Sequence, residues 1–170
     1  MMLDIESFKV GDKVVYPSHG VGEITGEETQ TIGGTELRVF IISLLKEKVT
    51  LRVPVKRIAI TGLRPLSSLE LLDGTFDILQ GKSKASKGMW SKRAQEYELK
   101  INSGNVNSLA EVIRDLHKNS EDPDRSYSER VIYESALNRL AGELAAVKGL
   151  AVNAALSLLV ESLEEKECAA

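Results

Sequence analysis

The sequence predicts an α+β protein of two domains, a small antiparallel β-barrel over residues 1–65 and a compact all-α bundle of about five helices over residues 66–170. Two observations predict it. From residue 10 to residue 61 the apolar residues alternate or come in short bursts between turn residues, whereas after Pro65 they recur at helical spacing. The 170 residues, 42% hydrophobic and 28% charged, are enough for one domain or two small ones and leave no room for a large two-domain enzyme.

The first half resolves into five short strands, Asp12–Tyr16, Gly20–Ile24, Leu37–Leu45, Val49–Val53 and Arg57–Ile60. Gly33-Gly34 supplies the positive φ of a tight hairpin, Lys46-Glu47 is a polar break, and the stretch from Tyr16 to Gly22, with Pro17 and Gly20, reads as a turn between two strands. Hairpins spaced this closely over about 50 residues suggest a barrel of the SH3 or Tudor type.

The second half opens on Ser68-Leu69-Glu70-Leu71-Leu72 and Phe76, Ile78, Leu79, a first helix. Residues 81–88, GKSKASKG, lack apolar anchors and read as a loop. A helix then runs from Met89 to about Ile101, ended by Ser103-Gly104. The next begins at Asn107-Ser108, where Ser108 and Glu111 have capping-box spacing, and carries Leu109, Val112, Ile113 and Leu116 on one face. After the polar stretch 119–124, Ser126 and Glu129 repeat that spacing; Val131, Ile132, Leu137, Leu140, Leu144 and Val147 follow along a long helix that Gly149 stops. A last helix spans about Ala151 to Leu163.

The chemistry of most enzymes is missing. The sequence contains no P-loop, GxGxxG turn, GxSxG elbow, HExxH helix or CxxC pair, so a non-enzymatic role is expected. One cysteine, Cys168, excludes an internal disulfide, and two histidines, His19 and His117, about a hundred residues apart, do not make a zinc site; no metal or cofactor is expected. The start, MMLDIESFKV, is not a signal peptide, and no apolar run approaches the ~18 residues of a membrane span, which favours the cytoplasm. Net charge is −3, yet residues 82–102 hold six basic and two acidic side chains, a local +4 that can neutralise phosphates within a Debye length of about 10 Å. The sole tryptophan, Trp90, lies in that window beside Lys92 and Arg93.

Two stretches carry a resemblance: VGDKVVYPSHGVGEI (Val10–Ile24) followed by VTLRVPVKR (Val49–Arg57), and MWSKRAQEYELKINSGNVNSLAEVIRDL (Met89–Leu116). Together they resemble the CarD/CdnL family of bacterial transcription regulators, over about Phe8 to Leu163. The first is also similar to the RNA polymerase-interacting domain of transcription-repair coupling factor.

The resemblance implies a Tudor-like domain that adds an edge strand to the β1 lobe of the RNA polymerase β subunit, by main-chain pairing with a few specifying side chains. Arg52 takes the place of the family's arginine ahead of Val-Pro, and Gln30 stands where the family has a second basic contact; neighbouring Glu28, Thr29 and Thr31 present backbone. It further implies a helical domain on promoter DNA at the upstream edge of the transcription bubble, with Trp90 as a minor-groove wedge and Lys92, Arg93 and Arg130 on the phosphates. Gln95 replaces a family lysine, and Lys84 and Lys87 are candidates to compensate. The expected protein is a monomeric regulator that stabilises the open complex without strong sequence preference. The rival is an interaction module that docks polymerase and another protein without touching DNA.

Overall fold

The computed structural model describes residues 8–17, 19–44, 48–81, 89–117 and 127–168. The chain divides into two compact units, Met1–Leu66 and Ser67–Ala170. The first holds strands β1 (Lys13–Tyr16), β2 (Gly20–Ile32), β3 (Thr35–Leu44) and β4 (Val49–Pro54), a 3-10 turn (Val55–Arg57), a one-turn helix α1 (Ile58–Thr61) and strand β5 (Arg64–Pro65). The second holds α2 (Leu69–Leu79), α3 (Trp90–Asn102), α4 (Val106–His117), α5 (Tyr127–Lys148) and α6 (Val152–Cys168). A Tudor-like five-stranded antiparallel sheet followed by five helices is the fold class that the sequence predicts.

The sheet runs in the order β4-β3-β2-β1-β5. Alternation along β3 sends Phe40, Ile42 and Leu44 to the core face, where they meet Val14, Ile24, Val53, Ile58, Leu63 and Phe8. The β2–β3 hairpin turns at Gly33 and Gly34, whose φ of 60° and 81° is the geometry that a two-residue turn of twisted strands requires. Gly22 serves a different purpose: a Cβ there would lie 2.9 Å from Ile42 Cγ2 and 3.0 Å from the Ser43 carbonyl oxygen, so its missing side chain lets β2 and β3 approach.

Two strand expectations change. β2 continues to Ile32 rather than ending at Ile24, carried on by its pairing with β3, and its later residues escape the alternation because they are solvated on both faces. Arg57–Ile60 is helical, not a strand. Only Ile58 of its two isoleucines enters the core, while Ile60 is 83% exposed, and two apolar residues two apart fit a single helical turn as well as a strand. The fifth strand is Arg64–Pro65, paired with Val15 and Val14.

In the helical unit, Leu109, Val112, Ile113 and Leu116 of α4 are all buried and pack with Leu72, Leu79, Tyr97, Ile101, Ile132, Leu140, Leu144, Leu159 and Leu163. Ser68 caps α2, its Oγ accepting from the Leu71 amide at 3.1 Å. The cap of α4 is Asn105, whose Oδ1 accepts from the Asn107 amide at 2.8 Å; Ser108 lies inside the first turn and is not the cap. Along α5, Ile132 turns inward and Val131 outward. Gly149, at φ 68°, ends α5, and the Leu150 amide returns to the Ala145 carbonyl at 3.0 Å, the six-to-one bond of a Schellman stop. The expected break at Lys46-Glu47, the loop after Gly81, the stretch 119–124 and the cap Ser126 lie outside the described residues.

Asn105→Ala is expected to lower the stability of the chain by about 1 kcal/mol, and Ser108→Ala by less than about 0.5 kcal/mol, in urea unfolding followed by far-UV circular dichroism. In the same assay Gly22→Ala costs about 1–3 kcal/mol, because the new Cβ meets both the Ile42 side chain, held in the core, and the Ser43 carbonyl oxygen.

Candidate functional site

β3 is apolar on both faces. Phe40, Ile42 and Leu44 fill the core, while Leu37, Val39 and Ile41 line the opposite, outer face. Register places Arg52 of β4 opposite Ile41, Glu28 of β2 opposite Val39 and Gln30 of β2 opposite Leu37, so these three share the outer face. Arg52 Nε reaches Glu28 Oε2 at 3.7 Å diagonally across β3, both side chains remaining open to solvent (59% and 44% exposed). Val39, also on this face, is only 4% exposed. Thr29 and Thr31, opposite Arg38 and Glu36, alternate to the other face. There Arg38 Nε donates to Glu27 Oε1 at 2.6 Å.

The backbone is as informative as the side chains. β1 pairs with β2 only from Gly20 to Glu23, so the stretch from Thr25 to Ile32 has β3 on one side and, among the described residues, no strand on the other. This free edge carries Glu28, Thr29, Gln30 and Thr31 and ends on Ile32, which is 59% exposed beside the hairpin turn. An edge of unpaired N–H and C=O groups is a template for another strand. Sequence reading missed Ile32 and the outer-face apolar row, whose signal was the unbroken run Val39-Phe40-Ile41-Ile42.

In the helical unit Trp90 is the first residue of α3, half-buried against the core. Its ring centroid lies 6.3 Å from that of Tyr97, tilted by 44°. The Arg93 guanidinium sits 5.6 Å from the Trp90 ring and 5.9 Å from the Tyr97 ring, and Nη2 donates to Tyr97 Oη at 3.3 Å. Tyr97 was not among the residues singled out from sequence; the signal was its i+7 spacing from Trp90. Lys92 is exposed on the same first turn, which holds no acidic residue and no side-chain cap, leaving an electropositive helix start. Gln95 is exposed on the next turn, and Arg130 is exposed on the first turn of α5. Lys84 and Lys87 lie outside the described residues.

The remaining candidates have structural roles. His117 Nδ1 is 2.8 Å from Tyr133 Oη, and the His19 ring packs 5.2 Å from that of Tyr16. No group of metal-ligating side chains occurs among the described residues. An open hollow of about 580 Å³ lined by Ser68, Glu70, Leu71, Gly74, Ile78 and Asn107 contains a single carboxylate and no partner to make an acid–base pair. No single helix among the described residues is long and apolar enough to cross a membrane.

Comparison with known proteins finds two family matches. Residues 8–67 match the CarD-like/TRCF RID domain, and residues 74–160 match the C-terminal domain of CarD. The Bacillus subtilis (strain 168) protein named "Putative transcription factor YdeB" is 27% identical over 143 residues, which cover 84% of this chain and 94% of that protein.

Because the Arg52–Glu28 pair is solvated, Arg52→Ala and Glu28→Gln are each expected to change stability by less than about 1 kcal/mol in urea unfolding, so that any larger effect on a binding partner arises at the interface itself.

Proposed function

The chain belongs to the CarD family, and from that membership we propose that it is a non-enzymatic transcription regulator which holds RNA polymerase with its first unit and promoter DNA with its second. The observation that carries the DNA half is the placement of the only tryptophan at the uncapped, electropositive start of α3, beside Lys92. An aromatic wedge at a distorted base step needs cations close by to hold the flanking phosphates, and first-turn N–H groups can add to them. Arg130, in the first turn of α5, supplies a further cation, with Lys84 and Lys87 as candidates from position alone.

The polymerase half rests on the free edge of β2 and the outer face of the sheet. A strand of the β1 lobe of the polymerase β subunit extends the sheet, and Arg52, Gln30 and Glu28 specify it, with Thr29 and Thr31 contributing main chain. Tethering by this contact raises the local concentration of the helical unit at the upstream edge of the bubble, so that few cations and no base-reading helix suffice. Wedged in the opened step, Trp90 binds the open state better than the closed one and shifts the equilibrium towards it. The reaction takes place in the cytoplasm, requires no cofactor and involves one copy of the chain per polymerase.

A second reading, docking of another protein without DNA contact, is favoured by the exposure of Met89 and Leu99 at and along α3. The two readings separate in the half-life of polymerase open complexes challenged with competitor. The wild type is expected to lengthen it; Trp90→Ala, still bound to polymerase, loses about ten-fold or more of that gain, and Arg52→Glu loses it together with polymerase binding. Wild-type half-life with Trp90→Ala rejects the wedge in favour of protein docking.

A further inference from the structure

We infer that Arg93 is a positioning residue for Trp90, clamping the indole together with Tyr97, and not a ligand of the DNA phosphates. The inference deepens the wedge reading and rests on it for its consequence, although the clamp itself is a property of the free protein.

A side chain in the middle of a helix leans back on the turn before it, but Trp90 opens α3 and has no preceding turn to lean on. Among the described residues, its support comes from the core it packs against and from residues ahead of it on the same helix face. Positions i+3 and i+7 fall on the same face, and they are Arg93 and Tyr97. Tyr97 is anchored, being only 5% exposed and part of the helical core. Its hydroxyl accepts from Arg93 Nη2 at 3.3 Å, and the guanidinium lies 5.6 Å and 5.9 Å from the two ring centroids, within the range of cation–π attraction. The three side chains form a stack that begins in the core and ends on the indole.

The orientation of Arg93 also argues against phosphate binding. An arginine grips an oxyanion side-on through Nε and the nearer Nη, two parallel N–H groups. Here Nη2 is given to Tyr97, and Nε is buried and finds no acceptor among the described residues. That fork faces inward. Lys92, one residue earlier and exposed, has no such commitment among the described residues and remains the phosphate contact. An indole fixed in advance loses little freedom on entering a base step, which is the gain that the clamp provides.

Because Trp90 is the sole tryptophan, its fluorescence in the full-length free protein reads the clamp directly. Arg93→Lys keeps the charge but loses the plane and the fork, and Tyr97→Phe removes only the hydroxyl. With far-UV circular dichroism unchanged, each is expected to raise the acrylamide quenching constant of Trp90 about two-fold and to speed the local decay of its anisotropy. In open complexes, Arg93→Lys then loses about three- to ten-fold of the half-life gain despite its retained charge. Arg93→Gln leaves the slope of log half-life gain against log salt at the wild-type value, whereas Lys92→Gln reduces it by about one. Unchanged quenching in Arg93→Lys overturns the clamp, and so does a slope reduced by about one in Arg93→Gln, which is the signature of a phosphate ligand. If Trp90→Ala leaves the open complex unaffected, the wedge is what fails, and quenching still decides the clamp.

Discussion

The ladder between β2 and β3 fixes everything else in the first unit. It runs from Gly22 opposite Leu44 to Ile32 opposite Thr35, the longest pairing in the sheet, with one irregularity between Ile24 and Gly26. β1 and β4 each attach to part of it. A slip of one residue would carry Phe40, Ile42 and Leu44 out of the core and bring Leu37, Val39 and Ile41 in, so the register is held by burial as well as by the Gly33-Gly34 turn. The same register sets Arg52, Glu28 and Gln30 on one face and leaves one edge of β2 without a strand partner among the described residues. Core and candidate interface are two readings of a single alignment.

The helical unit separates support from contact in a different way. α4 is nearly engulfed, with seven buried residues, whereas α3 buries only Tyr97 and Ile101. Those two fasten the middle and end of α3, while in its first turn Trp90 is half-buried against the same core and Lys92 is exposed. Lys100, which bonds Glu111 of α4 at 3.1 Å, and Asn102, which accepts from Arg139 of α5 at 3.0 Å, add fixing at the same C-terminal end.

Much of this was legible in the residues. The change of period after Pro65, the Gly33-Gly34 turn and the Gly149 stop each carry their own physical signal, and each appears where that signal stands. The far half of β2 was not legible, because a ribbon solvated on both faces has no reason to alternate. Arg57–Ile60 and the start of α4 failed for want of length: two isoleucines do not define a period, and Asn105 and Ser108 are both good caps, of which the chain uses the one following Gly104 at φ 80°. At the candidate sites the residues themselves marked only a local basic window holding Trp90, and its role as a wedge came with the family resemblance. The weight given to Arg52 and Gln30 came from family resemblance, since an exposed strand arginine carries no signal of its own. Tyr97 was not singled out, and its use shows only when Arg93 is seen lying against both rings.

The account requires one molecule to hold two different partners at once, protein at the edge of β2 and DNA at the start of α3. Site-specific photocrosslinking tests that requirement most directly, with p-benzoylphenylalanine placed at Thr31 in one preparation and at Trp90 in another, each assembled with polymerase holoenzyme on promoter DNA. The account predicts a cross-link from position 31 to the polymerase β subunit and from position 90 to promoter DNA near the upstream edge of the bubble. Cross-links from position 90 to protein alone would contradict it.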